Sequence, residues 1–212
     1  MADAVLQLIG WNCDQNSESW KAAEQGADVL LLQEATPGPV PPGLRVVAPD
    51  LQGPWLTGGW KSRPWATAVA IHDCMQAHPL PSAALDVAHA DQLGVSRAGS
   101  LAAAVLCLPN EDAITVVSIY ASWEHPISAL ASNWIYADAS AHRIVSDLSA
   151  LIGRQRGHRL LIAGDWNILR GYGDHGSHYW PIRYESVFTR LDALGLQLLG
   201  PFAGRQPRAL AF

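Results

Sequence analysis

The chain has 212 residues, of which 49% are hydrophobic and only 16% are charged, so it can bury a substantial core and does not belong to the disordered class. Its net charge of -5 excludes long-range attraction of a polyanion, so local groups or a metal must hold any phosphate-bearing substrate. Three widely spaced cysteines without a Cys-x-x-Cys pair argue against a disulfide framework or a zinc knuckle. With no basic leader and no membrane-length apolar run, we expect a single cytoplasmic domain over residues 1–212, without membrane contact.

The first third of the chain predicts a strand, helix, strand unit. The apolar runs AVLQLIGWN and ADVLLLQEA predict strands, and CDQNSESWKAAEQG between them predicts a helix that ends at Gly26. After the proline-rich TPGPVPPG, the segment GLRVVAPD predicts a short strand.

The segment PWLTGGWKSRPW interleaves three tryptophans with two cations and leads into the predicted strand WATAVAIH. These residues are Trp55, Trp60, Lys61, Arg63 and Trp65. Aromatic and basic residues in alternation can form a stacking platform for nucleotides. The alternative is that the tryptophans cover the core while the cations are solvated.

The rest of the chain mixes hairpins with helical crossovers. SLAAAVLCLPNEDAITVVSIYA predicts a hairpin, and DASAHRIVSDLSALIGR and YESVFTRLDALG predict amphipathic helices. RLLIAGD between the helices and LQLLG after Gly195 predict strands. Because antiparallel and crossover connections coexist, we expect mixed sheets.

Polar residues stand where three of these strands end. Asn12 with Asp14, Glu34, and Asp165 with Asn167 each follow an apolar run. If the strands are neighbours in a sheet, their ends form one rim where a hard cation can take carboxylate oxygens, and extended geometry would aim Asp165 and Asn167 to one face. The alternative is that Asp and Asn here only cap the following turns.

Four motifs, WNCD, LLLQE, SIYA and GDWN, stand in this order over residues 5–169. Together they resemble the motifs of the endonuclease/exonuclease/phosphatase superfamily, which has the deoxyribonuclease I-like fold. The resemblance implies an α+β protein, a four-layer sandwich of two mixed β-sheets flanked by helices. The late Ser-Asp-His element of that family has no match here, so the resemblance also implies that the C-terminal strands are missing.

The resemblance assigns a metal and phosphate site. It implies that Glu34 is the direct ligand of Mg²⁺, with Mn²⁺ as a substitute. It implies that Asn12 lies by both the metal and the phosphate, and that Asp14 is a further metal ligand. The alternative for Glu34 is a solvent-facing strand end.

The resemblance also assigns catalytic residues. It implies that Asp165 activates or aligns the attacking water, that Asn167 holds the phosphoryl oxygens, and that Tyr120 faces the phosphate. Tyr120 could instead be a core tyrosine with a satisfied hydroxyl. In the loop RGYGDHGSHYW, His175 is a candidate acid/base in place of the missing histidine. Alternatives for this loop are a substrate cover, a zinc site of His175 with His178, or a solvated surface loop.

These assignments predict a magnesium-dependent phosphoester hydrolase, a phosphodiesterase or nuclease, with nucleic acid as one candidate among phosphoester substrates. Without the terminal histidine, we expect weak or absent activity, because a positioned general acid/base contributes roughly 10² to 10⁴ in rate. The alternative function is a truncated, inactive family member that binds a phosphate or a partner. A sheet edge left open by the missing strands predicts self-association, and a partner chain could then complete the site.

Overall fold

The computed structural model describes residues 6–16, 20, 26–49, 63–108, 113–124, 137–153, 158–171 and 179–200. The chain divides into two compact units. The first consists of residues 1–120 with 159–165, and the second of residues 121–158 with 166–212. The single domain expected over residues 1–212 stays a prediction.

The first unit holds the ten strands found among the described residues. They are β1 (Leu8–Asn12), β2 (Val29–Ala35), β3 (Leu44–Ala48), β4 (Ala66–His72), β5 (Gln76–Leu80), β6 (Ser82–Ala84), β7 (Leu93–Val95), β8 (Leu101–Cys107), β9 (Ala113–Tyr120) and β10 (Leu160–Asp165).

Eight of these strands form two four-stranded sheets of the same design. The first sheet has the order β1-β2-β4-β3, and the second has the order β10-β9-β8-β5. In each, one parallel pair (β1 with β2, β10 with β9) continues into antiparallel strands. Strands β6 and β7 form a separate parallel pair. The predicted mixed α+β class is therefore confirmed.

The two four-stranded sheets pack face to face. Alternate residues of β2 and β4, among them Leu31 and Ile71, meet Ala104, Leu106 and Val116 of the second sheet in one apolar cluster. The other face of β2 and β4 packs around Trp20, which is 1% exposed. Because β2 is buried on both faces, it is a continuous apolar run rather than an alternating one.

The second unit contains helix α1 (Ala137–Leu148), a 3-10 turn (Ser149–Leu151) and helix α2 (Tyr179–Ala193). Ile144 and Leu148 on α1 and Val187 and Leu191 on α2 are buried, at the spacing of one helical face. Helix α2 ends where Gly195 adopts a φ of 76 degrees. The Leu196 N–H then bonds the Leu191 carbonyl at 3.0 Å, which closes the helix end. No helix among the described residues is long and apolar enough to cross a membrane.

Most of the predicted elements are present. The hairpin appears as β8 and β9, both helices form, and β1 and β2 are parallel neighbours. The helix predicted between β1 and β2 falls largely on residues 17–19 and 21–25, outside the described residues. The strand predicted at LQLLG is wrong: residues 196–200 are described but join no sheet, because no described segment forms a ladder with them. The three cysteines are free thiols, and only Cys13 is buried.

Candidate active site

The carboxyl ends of both parallel strand pairs meet at one rim of the first unit. In the first sheet Asn12 stands opposite Gln33, and in the second sheet Asp165 stands opposite Tyr120. Strands β1 and β10 approach closely, since a Cβ on Gly10 would lie 3.7 Å from the Cβ of Ala163. The three strand ends therefore meet, as the sequence predicts. They do not belong to one sheet, however, but to two sheets that face each other.

One amide joins the two predicted carboxylates. Asn12 Nδ2 donates to Glu34 Oε1 at 3.3 Å and to Asp165 Oδ2 at 3.1 Å. The other end of this amide is fixed as well, because Asn12 Oδ1 accepts the Asp14 N–H at 2.9 Å. Three residues that lie far apart in the sequence are thus brought into direct contact, and we call this set, Asn12, Glu34 and Asp165, the rim triad.

Glu34 is buried and is not solvent-facing, at 9% exposure. It lies in a β-bulge, because β2 shifts register against β4 between Leu32 and Ala35. A bulge re-aims a side chain that a regular strand would direct elsewhere. Gln15 Nε2 donates to Glu34 Oε2 at 2.8 Å, and the Gln15 N–H bonds the Glu34 carbonyl at 3.2 Å. The chain that follows β1 therefore holds both the side chain and the backbone of Glu34.

Unusual backbone geometry marks the same strand ends. Four non-glycine residues among those described have a positive φ, and all four fall at or just after the ends of β1, β2 and β10. They are Asp14 (48 degrees), Gln15 (57 degrees), Glu34 (48 degrees) and Asn167 (51 degrees). Such conformations cost on the order of 1 kcal/mol or more each and cluster at functional sites. The rim is therefore a strained region within an otherwise regular fold.

Tyr120 faces the rim triad from the end of β9. Burial, the negative charge of Glu34, a hydrogen bond to Glu34 and the charge of Asp165 raise the pKa of Tyr120 far above its ordinary value, while Arg63 opposes the shift. A phenol in this setting stays protonated and keeps its O–H as a donor. The Tyr120 hydroxyl has a hydrogen-bond partner, as a tyrosine of the core would, but this partner is the Glu34 carboxylate at the rim.

Arg63 and Trp65 connect the predicted aromatic and basic segment to this tyrosine. The Arg63 guanidinium lies 4.8 Å from the centre of the Trp65 ring, and that ring meets Tyr120 edge to face at 5.2 Å. Trp65 is 7% exposed, so it covers the core and offers no open face for a base. Trp55, Trp60 and Lys61 lie outside the described residues.

Gly164 sets the approach of β10 to β9. Its φ is 152 degrees, and a Cβ there would lie 2.0 Å from the Ile119 carbonyl oxygen. Only glycine fits at this point of the backbone. The glycine of the Gly-Asp-Trp-Asn motif therefore allows the close pairing that ends with Asp165 beside Tyr120.

Other predicted site residues are placed differently. Asn167 does not leave the same strand face as Asp165, because β10 ends at Asp165 and Asn167 has a left-handed backbone. It belongs to the second unit, where Nδ2 donates to the Ala121 carbonyl at 2.9 Å. Its role toward phosphate stays a prediction, as does a metal role for the exposed Asp14. His175 and His178 lie outside the described residues.

Sequence reasoning missed four residues that shape the rim. These are Gln15, Gln33, Arg63 as a neighbour of Tyr120, and Ser118. Gln33 and Ser118 did carry a signal, because each is a polar residue within a buried apolar strand. Nothing local in the sequence indicates that the two side chains bond each other across 85 residues.

The donor chemistry of the rim fits a hard cation. Glu34 and Asp165 offer carboxylate oxygens that both touch one amide nitrogen. Among the described residues, no group of three or more His, Cys, Asp or Glu side chains is arranged to hold a metal. A cation here would take its remaining ligands from water and substrate, which is how Mg²⁺ commonly binds.

The chain has structural similarity to solved proteins but no match among family models or curated proteins. A solved structure of a beta hairpin deletion mutant of beta toxin from Staphylococcus aureus is similar to 89% of this chain and 73% of that chain, with a TM-score of 0.44 and 13% identity.

Proposed function

We propose that this chain is a metal-dependent phosphoester hydrolase whose active site is the rim triad. The observation that supports this most strongly is the single Asn12 amide that bonds both Glu34 and Asp165 at the converging ends of two parallel strand pairs. The motif resemblance of WNCD, LLLQE, SIYA and GDWN supports the same class of reaction.

In this proposal Glu34, with Asp165 nearby, would hold Mg²⁺ or Mn²⁺. The bound cation would supply positive charge to the phosphoryl oxygens, which the net charge of -5 of the protein does not provide. Arg63, whose charge acts on Tyr120, adds a second positive group beside the rim.

The protein groups then position water and substrate. Asp165 aligns the attacking water and accepts its proton at a carboxylate oxygen as the water oxygen bonds to phosphorus. The ester bond from phosphorus to the leaving oxygen breaks in the same step, and the leaving oxygen takes a proton from solvent water. Asn12 fixes the direction of both carboxylates, so neither has to reorganise during the reaction. Tyr120 retains its proton and donates a hydrogen bond toward the phosphoryl oxygens once substrate competes with Glu34 for its O–H.

The test is hydrolysis of a substrate panel by the 212-residue chain with Mg²⁺ or Mn²⁺. The panel comprises supercoiled plasmid, single-stranded DNA, RNA and a chromogenic phosphodiester, and Asp165→Asn is the matched variant. We expect turnover of at least one phosphodiester that Asp165→Asn loses. Folded protein without turnover on any member contradicts the proposal and favours an inactive protein that binds a phosphate or a partner.

A further inference from the structure

A buried hydrogen-bond bridge joins the two sheets directly beneath the rim. Gln33 is 2% exposed and Ser118 is fully buried. Gln33 Nε2 donates to Ser118 Oγ at 3.0 Å and to the Leu31 carbonyl at 2.7 Å. Ser118 Oγ in turn donates to the Leu32 carbonyl at 2.7 Å. Both amide protons and the single hydroxyl proton are therefore used, which fixes the orientation of each group.

The bridge lies where β2 departs from a regular ladder. The register shift begins at Leu32, whose carbonyl receives the Ser118 hydroxyl, and Glu34 follows Gln33 directly. A bulge disrupts the ladder, so its carbonyls need donors from elsewhere. The bridge supplies donors to the two carbonyls that precede the bulge. It thereby holds the segment in which Glu34 has a φ of 48 degrees.

The same bridge reaches the other wall of the rim. Ser118 and Tyr120 are two residues apart on β9, so their side chains leave the same face of that strand. Gln33 and Ser118 thus connect the backbone beneath Glu34 with the strand that carries Tyr120. A left-handed residue persists only when its surroundings over-determine it, and this bridge crosses between the sheets directly beside Glu34.

We propose that Gln33 and Ser118 are a positioning pair that holds the bulged backbone at Glu34 and so keeps its carboxylate at the rim. The positioning itself is a property of the fold, whereas its consequence for turnover rests on the proposed hydrolase function. Neither side chain needs to touch substrate. Loss of the bridge should let the Glu34 segment relax and should move the carboxylate out of the rim triad.

The first test measures hydrogen exchange of the backbone amides of residues 33–35 by ¹⁵N NMR, which needs no substrate and no metal. In the wild-type protein these amides should be protected, because the bridge holds the bulge in place. In Ser118→Ala and in Gln33→Met they should exchange at least about tenfold faster, whereas the amides of Val29 and Leu30 in the same strand should be unaffected.

Thr67→Val is the matched control. Thr67 is 1% exposed, lies on the face of β4 that carries Val69 and Ile71, and its hydroxyl has no hydrogen-bond partner among the described residues. Removing this hydroxyl should leave amide exchange at residues 33–35 as in the wild type. If Ser118→Ala does not fold, Ser118→Cys, which keeps a weak donor, replaces it and should accelerate the exchange less. Folded Ser118 and Gln33 variants with unchanged amide exchange at residues 33–35 overturn the proposal.

A second measurement tests the link to turnover. Ser118→Ala should lower kcat by roughly 10 to 100-fold with little change in KM, because misplacing a reacting group by about 1 Å has effects of this size. If the wild-type protein hydrolyses no substrate, the hydrolase proposal fails while the amide exchange at residues 33–35 still decides the positioning. If it turns over substrate and both bridge variants retain wild-type kcat, the positioning proposal fails while the hydrolase remains.

Discussion

Two buried carboxylates in this molecule, Glu34 at the rim and Asp138 on α1, are held by different chemistry. Asp138 is 2% exposed and forms an ion pair with Arg183 at 2.6 Å. Glu34 accepts hydrogen bonds from neutral groups instead. These donors are Asn12, Gln15 and Tyr120. Arg183 neutralises the charge of Asp138, whereas neutral donors only fix the orientation of the Glu34 carboxylate. This arrangement is the one expected of a carboxylate that binds a cation, as proposed for Glu34.

The backbone conformations of Asp138 and Glu34 also differ. Asp138 lies in the first turn of a regular helix, whereas Glu34 has a left-handed φ within a bulge. Strain and an unneutralised buried charge both lower stability, so their coincidence at one residue supports the proposed role of Glu34. The following predictions separate the proposed active site at the rim from the helix pair.

Gly164→Ala should have the largest effect, because its Cβ would lie 2.0 Å from the Ile119 carbonyl oxygen. We expect a loss of more than about 4 kcal/mol in the free energy of unfolding, measured by chemical denaturation. Gly10→Ala is the control, since its Cβ would meet only Ala163 at 3.7 Å. It should stay within about 1 kcal/mol of the wild type. Equal effects of the two variants would contradict this prediction, because the backbone of β10 would then be able to shift and accommodate the Cβ at residue 164.

Glu34→Gln should remove activity without unfolding the protein. Loss of one charged group that stabilises the transition state costs roughly 10² to 10³ in rate. The amide keeps the shape of the side chain, so the free energy of unfolding should change by less than about 1 kcal/mol. Steady-state hydrolysis and denaturant melts of the same preparation check both parts. A variant that stays active, or one that is unfolded, speaks against this assignment.

Asp138→Asn should behave in the opposite way. We expect a loss of roughly 2 kcal/mol in unfolding free energy, less than for a fully buried pair because the Arg183 side chain is 31% exposed. Hydrolysis by the folded fraction should be unchanged. Asp192→Asn provides the control, since that carboxylate is 50% exposed and its pair with Arg170 contributes less than about 1 kcal/mol.

His142 should make the free energy of unfolding depend on pH, with a smaller effect than the substitutions above. Burial and the charge of Arg190 lower its pKa below 6.5, with Arg183 adding to the shift and Asp138 opposing it. The unfolded chain therefore takes up this proton first as the pH falls, so stability is full above 6.5 and declines below it, toward the lowered pKa. His142→Gln should reduce the difference in Tm between about pH 7.5 and about pH 5.5. An unchanged difference would contradict this role.

The apolar patterns were sufficient to predict most of the sheets and both helices. Strands such as VLLLQEA and the two runs of the β8–β9 hairpin are long and rich in aliphatic residues, which leaves little ambiguity. Strands β5 to β7 were not predicted. They are short or contain Pro79 and polar residues, and their pairing depends on distant partners.

The site was predictable only in part, for a physical reason. Strand ends with acidic or amide side chains could be found locally, and the structure brings Asn12, Glu34 and Asp165 together. The bulge at Glu34 and the turn at Asn167 depend on bonds to residues far along the chain, so alternation of side chains gave the wrong face for Asn167.

The most direct test of the account is a titration of Mn²⁺ or Mg²⁺ followed by thermal denaturation of the wild type and of Glu34→Gln. A cation bound only by the folded rim should raise the Tm of the wild type, by the equivalent of about 2.7 kcal/mol at a hundredfold excess over Kd. Glu34→Gln, with the same Tm in the absence of metal, should show no such rise. Equal stabilisation of both proteins would contradict a metal site at Glu34.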